Sequence, residues 1–182
     1  MKQKLCANRM SLLKYMNLWP PLLGAGIKVV KMDKHLRAID VEMRMRPWNR
    51  NIVGSHFGGS LFAMTDPFYM LMLIENLGRQ YVVWDKAASI RYRKPGKGTM
   101  RAEFRLPVER VEEIRAVIET GERCEPRFVI EVKDEAGDVV AEVERVVYCA
   151  KRDVHEARAN ARVTYKAESK VPKVVGKSQK GS

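Results

Sequence analysis

Cysteine, histidine and long uninterrupted apolar runs are all scarce in this sequence. Its three cysteines, Cys6, Cys124 and Cys149, are scattered, and no pair has metal-ligand spacing. That excludes a disulfide framework and a cysteine zinc site, and it predicts reduced thiols in a cytoplasmic protein. Of the three histidines, His35 and His155 have no neighbours that suggest chemistry, whereas His56 sits in a glycine-rich stretch. The opening MKQKLCANRM lacks the sustained apolar core of an export signal, and Pro20-Pro21 breaks the apolar region that follows. The most apolar run, Pro67 to Ile74, is bounded by Thr65 and Asp66 before it and by Glu75 and Asn76 after it. It falls short of the ~20 residues that a spanning helix needs. Neither export nor a transmembrane segment is expected, and there are no internal repeats.

What is present is a basic, otherwise globular composition. The chain has 182 residues, 46% of them hydrophobic, and a formal charge of +12. That length suits one domain with a terminal extension. Nine Lys/Arg against three Asp/Glu put half of the net charge in residues 151–182. The expected organisation is an N-terminal helical segment over 1–26, a folded domain over 27–150, and a basic, flexible tail over 151–182. The tail is suited to weak binding of polyanions.

Along the chain, Asn8 to Leu18 suits a short amphipathic helix ended by Trp19-Pro20-Pro21. Ile27 to Val30 reads as a strand turning near Asp33-Lys34. Ile39, Val41, Met43 and Met45 alternate with Asp40, Glu42, Arg44 and Arg46, which is the period of a half-buried strand. Ala88, Ile90 and Tyr92 repeat the pattern, and Pro95-Gly96-Lys97-Gly98 leads into Met100, Ala102, Phe104 and Leu106, so a hairpin is expected here. Val108 to Thr120 predicts a surface helix stopped by Gly121. Phe128, Ile130 and Val132 mark a strand, Glu135-Ala136-Gly137-Asp138 a turn, and Val139 to Ala150 a last strand whose phase slips near Arg145, suggesting a bulge.

The stretch from Asn51 to Gly78, NIVGSHFGGSLFAMTDPFYMLMLIENLG, organises the rest. Gly54, Gly58 and Gly59 allow sharp turns, and the segment then becomes apolar on nearly every side. A helix apolar all round must be surrounded, and five or six one-faced antiparallel strands are at hand to surround it. Asp66 is an acid in an apolar setting, which is costly unless it is partnered or used. It is either a working carboxylate or simply the cap of a helix starting at Pro67. Gly58 and Gly59 either present N–H groups to a developing oxyanion or form a tight loop. His56 is either an acid/base group or a loop tie, and Asn51 suits a turn. Asp85 and Lys86 are an ion pair, unless Asp85 faces Asp66 and the two share a proton. Arg91, Arg93, Lys94 and Lys97 are a solvated strand face or a rim for phosphates.

These residues resemble the hotdog-fold superfamily over roughly Ile27 to Ala150. The closest likeness is to acyl-CoA thioesterases of the phenylacetic-acid-degradation type and an uncharacterised, thioesterase-like branch of them. The resemblance rests on the asparagine before the loop, the Gly-Gly opening the helix, the aspartate within it, and a following strand ending in Tyr-x-x-Pro. It implies an α+β hotdog fold, an antiparallel sheet wrapped around one long central helix. It also implies a homodimer or homotetramer with the site between subunits. In the family the aspartate activates or orients water, while the glycine amide and the asparagine polarise the thioester carbonyl; by position these are Asp66, Gly58 and Asn51. Two positions depart from the pattern. Phe57 stands where the family often has histidine, leaving His56 one residue earlier, and Asp85 stands where a serine is found.

The implied function is hydrolysis of an acyl-CoA or other acyl thioester, with Asp66, Asn51, Gly58, His56 and Asp85 as the reacting site. Gly59, Arg91, Arg93, Lys94 and Lys97 would hold coenzyme A, itself part of the substrate, and no separate cofactor or metal is expected. The alternative is a non-catalytic acyl-CoA or fatty-acyl binding protein with the same cleft, and a polyanion binder acting through its tail is the third reading.

Overall fold

A computed structural model describes residues 15–157 of the chain. Residues 15–18 are helical, and the rest of the helix expected over Asn8 to Leu18 lies outside the described residues. Pro20-Pro21 starts the next helix, α1 (Pro20–Ala25), with Trp19 as its N-cap. Proline fits a first helical turn, whose N–H groups have no intrahelical partner in any case.

Six strands follow the expected alternation: β1 (Ile27–Met32), β2 (Ala38–Arg44), β3 (Tyr81–Tyr92), β4 (Thr99–Arg105), β5 (Arg127–Lys133) and β6 (Val139–Lys151). They form one antiparallel sheet in the order β1-β2-β4-β5-β6-β3. The hairpin expected from β3 into β4 does not form. β4 lies between β2 and β5, and β3 pairs with β6 from Tyr81–Lys151 to Tyr92–Ala141. The connection between them is a crossing rather than a turn. Arg93 N–H bonds the Val140 carbonyl, Gly96 O accepts from His56 N–H, and Gly98 O accepts from Met45 N–H. Alternation marks a strand and its buried face but does not name its partner, and β6 is long enough to pair along all of β3.

The apolar side of the sheet covers two central helices, α2 (Gly58–Ala63) and α3 (Phe68–Leu77). The single helix expected here is therefore in two pieces. Pro67 has no N–H for the Ala63 carbonyl, which instead accepts from Asp66 N–H at 3.1 Å. Pro67, not Asp66, occupies the N-cap of α3, and no side chain caps that helix. Asp66 as a helix cap is thereby ruled out. Phe68, Met72 and Leu73 are fully buried in the core with Met43, Met100 and Phe104.

β4 and β5 pair only at Arg101–Lys133 and Ala102–Val132. Tyr69 of α3 serves the stretch where they do not pair. Its ring stacks on Phe128 at 4.0 Å, meets Phe104 edge-on at 5.5 Å, and its hydroxyl donates to the Arg105 carbonyl at 3.4 Å. The tyrosine gives that carbonyl a donor without breaking the aromatic contact.

α4 (Val108–Glu119) lies as the periodicity predicts, burying Val111, Ile114 and Ile118. Folded structure runs past the expected boundary at Ala150. Lys151 ends β6, residues 152–157 are helical, and His155 Nδ1 is 3.2 Å from the Tyr148 hydroxyl. The remainder of the expected tail, 158–182, lies outside the described residues.

Candidate active site

The break between α2 and α3 is met by Arg145 of β6, which adds its donors to groups on both sides of Met64. Nη1 of Arg145 donates to Asp66 Oδ1 at 2.6 Å, and Nη2 donates to the Phe62 carbonyl at 3.2 Å and to Thr65 Oγ1 at 3.3 Å. The guanidinium also lies 4.8 Å from the centre of the Phe62 ring. Only arginine offers enough planar donors for such a set. The pair is asymmetric: the Arg145 side chain is 3% exposed and that of Asp66 57%. The burial expected of Asp66 is therefore found in its partner. A buried guanidinium needs a counter-charge, and Asp66 provides it while still reaching solvent.

Asp85 completes the cluster from β3. The register of β3 against β6 shifts between Asp85 and Ala87, opposite Val147 and Val146, so the extra residue is Lys86. The bulge expected near Arg145 thus lies on the neighbouring strand, where Ala88 pairs with Arg145. Lys86 turns to Glu125, with Nζ–O distances of 2.6 and 2.7 Å, so the expected pair with Asp85 does not form. That leaves Asp85 half-buried, with Oδ1 buried and without a hydrogen-bond partner. Burial pushes its carboxyl above the usual carboxylate range; Arg145 opposes that rise and the negative charge of Asp66 adds to it. The two aspartates feel each other's charge, but no hydrogen bond joins them, and Arg145 holds Asp66 in place of a shared proton. Nε of Arg145 is likewise buried and without a partner.

The other expected residues gather at the start of α2. Asn51 Oδ1 accepts from Val53 and Ser55 N–H at 3.1 and 3.0 Å, and Nδ2 donates to Ser55 Oγ and the His56 carbonyl at 2.9 and 3.3 Å. Its amide shapes its own loop. His56 is buried, and Nε2 donates to the Gly98 carbonyl at 2.9 Å, which fixes the proton on that nitrogen in the neutral ring and leaves the buried Nδ1 unpartnered. A Cβ on Gly58 would lie 2.8 Å from the hydroxyl of the exposed Tyr92, which would have to shift to admit a side chain. Phe57 is exposed, and its ring lies against Gly59. The first N–H groups of α2 have no earlier carbonyl within the helix to bond.

Asp66 lies eight residues beyond Gly58, past the other end of α2. One chain thus presents two half-sites: the Asn51–Gly59 loop with Tyr92, and the Asp66–Arg145–Asp85 cluster. Of the basic residues, Lys94 pairs with Asp134 and Asp138 at 2.7 and 2.6 Å, Arg93 with Glu142 at 3.4 Å, and Arg91 and Lys97 are exposed.

Sequence reasoning missed Arg145 as a member of the site. The signal was there, since Arg145 falls in the alternation of Ala141, Val143, Val147 and Cys149, where every other member is apolar. Tyr92 had no signal, because its place beside Gly58 depends on a strand seated far along the chain.

The sequence matches, over residues 8–149, the model of a family described as a domain of unknown function, DUF4442. A search of curated proteins found no match. Among solved structures the chain is similar to a Pseudomonas aeruginosa protein of unknown function, named a probable thioesterase, with a TM-score of 0.70 and 21% identity, covering 80% of this chain and 97% of that one. It is also similar to a protein of unknown function from Chlorobaculum tepidum, at a TM-score of 0.64 and 14% identity over 79% and 94% of the two chains. A thioesterase from Haemophilus influenzae matches at a TM-score of 0.57 and 11% identity, covering 80% and 92%. At these identities the likeness is one of fold, and with six antiparallel strands over a central helical segment this chain is an α+β hotdog protein that belongs to the DUF4442 family.

Proposed function

We propose that this chain hydrolyses acyl thioesters, with an acyl-coenzyme A the favoured class of substrate. The observation that carries the reading is the cluster at the helix break: Asp66 held at 2.6 Å by a buried Arg145, with Asp85 on the neighbouring strand opposite Val147, two residues along β6 from Arg145. Thioester hydrolysis needs a carboxylate to activate water and donors for the oxyanion. The carboxylates are Asp66 and Asp85, and the donors are the N–H groups at Gly58 and Gly59. The distance between the half-sites supports assembly as a homodimer or homotetramer, the loop of one copy facing the aspartates of the other. β3, a sheet edge of 12 residues, offers its free side for that contact. The exposed Arg91 and Lys97, on the end of β3 and the loop after it, suit the phosphates of coenzyme A. The reading places the protein in the cytoplasm, with Cys124 and Cys149 as free thiols.

A second reading has its own support. Phe57 stands in the histidine place of the pattern, and the Asn51 amide is spent within its loop. Both favour a protein that binds an acyl-CoA without cleaving it. Release of free thiol from a panel of short, long and aromatic acyl-CoAs separates the two. Turnover that falls in Asp66→Asn supports the hydrolase. Thermal stabilisation by the same compounds with no thiol released supports the binder.

A further inference from the structure

The loop between β2 and α2 puts apolar side chains where turns usually put polar ones. The Asn51 carbonyl accepts from Gly54 N–H at 3.1 Å, closing a turn with Ile52 and Val53 at its two central positions. Such positions favour Gly, Pro, Asn, Asp and Ser. The Asn51 side chain takes the Val53 and Ser55 N–H groups, and Phe57 N–H bonds the Asn49 carbonyl at 3.1 Å, so the loop is fixed from within. Its apex gains nothing from the core: Ile52 is fully exposed and Val53 is 77% exposed. Trp48, also exposed, stands in the preceding turn, which Asn49 pins to the Ala25 and Arg44 carbonyls at 3.0 and 2.9 Å. Large apolar side chains held outward on a fixed loop mark an interaction surface. The charge around them identifies the partner. From Met43 to Thr65 the sequence has Arg44, Arg46 and Arg50 and no acid. All three arginines are exposed. Arg44 comes within 3.8 Å of Glu42, which Arg101 also holds, while Arg46 and Arg50 have no carboxylate partner among the described residues.

We propose that this loop docks the protein on the surface of an anionic lipid bilayer, with Ile52, Val53 and Trp48 entering the headgroup region and Arg46 and Arg50 on the lipid phosphates. Aliphatic tips bury apolar area there, tryptophan favours the interface because its ring is apolar with one polar edge, and arginine meets phosphate with a planar fork. No helix among the described residues is long and apolar enough to cross a membrane, so the contact is peripheral. Residues 151–182, with nine Lys/Arg against three Asp/Glu, add long-range attraction to the same surface. Docking brings Gly58 and Gly59, which follow the loop directly, to the bilayer, where long-chain acyl thioesters collect. The assembly proposed above calls on that glycine end of the loop. An isologous contact through the apex itself would set Arg46 and Arg50 of two copies against each other, so the lipid surface is the better-matched occupant.

The test uses the full-length chain and sucrose-loaded vesicles of phosphatidylcholine, alone or mixed with phosphatidylglycerol. The wild-type chain is expected to sediment with the mixed vesicles, less so as salt rises, and little with phosphatidylcholine alone. Lipids brominated high on the acyl chain should quench tryptophan fluorescence, and Trp48→Phe should remove that quenching while Trp19 and Trp84 remain. Ile52→Ser with Val53→Ser is expected to weaken binding to mixed vesicles about tenfold or more. Arg46→Gln with Arg50→Gln should weaken it roughly 25-fold, about fivefold for each charge. All four side chains are exposed, so the melting temperature should hold in both variants, and circular dichroism checks it. The proposal is overturned if the serine variant binds mixed vesicles like wild type, since the basic tail then accounts for the adsorption, or if the wild-type chain sediments with neither vesicle. It is overturned too if the serine variant changes the mass that light scattering reads without lipid, which would make the apex a contact between copies. None of these outcomes touches the release of thiol, so the hydrolase reading stands or falls separately.

Discussion

The turn between β1 and β2 and the cluster beside the helix break each hold a partly buried aspartate, and they treat it in opposite ways. In the turn, burial pushes the Asp33 carboxyl up. Three backbone donors more than offset it: Ala38 N–H at 2.8 Å, Arg37 N–H at 2.5 Å and His35 N–H at 3.2 Å, so the group ends below its usual range. In the cluster, burial pushes Asp85 up as well, but no donor reaches Oδ1 and the group stays raised. Burial alone does not decide the state of a carboxylate; the donors that accompany it do. A satisfied acid organises a turn. An acid left unsatisfied costs stability and is retained where its lone pairs have other work.

Arg145 is the sharpest place to break this comparison. Arg145→Leu removes a donor from each of Asp66, Phe62 and Thr65 and leaves the Asp66 carboxylate to water, while the Phe62 carbonyl keeps the Thr65 N–H and hydroxyl. Removing one member of a buried pair costs about 3–5 kcal/mol, and the exposure of Asp66 places the loss toward the lower end. Guanidinium denaturation measures it, and an unchanged midpoint would show that the cluster contributes nothing to the fold. Arg145→Lys keeps the charge but not the fork, so it should recover only part of the loss.

Asp33→Ala comes next. It strips three backbone N–H groups of their acceptor in a turn that contains Leu36 at φ 48°. Hydrogen bonds to a charged acceptor contribute about 1.5–3 kcal/mol, and the exposed part of the turn brings the expected loss to the low end of that range. Because the folded pKa is lowered from 3.8, the Asp33 contribution is complete above pH 3.8 and fades as pH falls through the folded value. Asp33→Asn should keep the Oδ1 contacts and flatten that acid dependence. A gap between wild type and Asp33→Asn that does not narrow in acid would sink this account of the turn.

The smallest effect, and of opposite sign, belongs to Asp85→Asn. The folded pKa of Asp85 is raised above 3.8, so folding favours its neutral form. The stability it contributes is fully present below pH 3.8 and is lost as pH rises through the folded value. Asp85→Asn, which cannot ionise, should therefore melt slightly above wild type at neutral pH, and the two curves should converge in acid. A variant that melts below wild type at neutral pH would mean that Asp85 has a donor after all, and the contrast with Asp33 would be gone.

Much of the fold was legible because it follows from periodicity. Ile39, Val41 and Met43 face the core and Asp40 and Glu42 do not, as alternation requires. The apolar run from Pro67 to Ile74 is central because its side chains are apolar on nearly every face. What periodicity could not supply was pairing: β3 and β4 read as neighbours and are strands apart. Nor could it show that Pro67 divides the helix, since proline within a helical pattern is compatible with either a kink or a stop.

The strands, their buried faces and the buried helical segment could be read from local side-chain polarity and chain geometry, and so could the place of Asp66 directly before Pro67. The partners were set by how distant parts of the chain pack together. Arg145 lies 79 residues from Asp66 in the chain, and it takes the pairing of β6 with β3 and β5, beneath the break that Pro67 makes, to bring its guanidinium to the acid. Asp85 is left without a donor for the same reason: a bulge at the next residue sends Lys86 to Glu125. Hydrogen bonds reach about 3 Å, and which groups come within that distance is set by the folding of the whole chain.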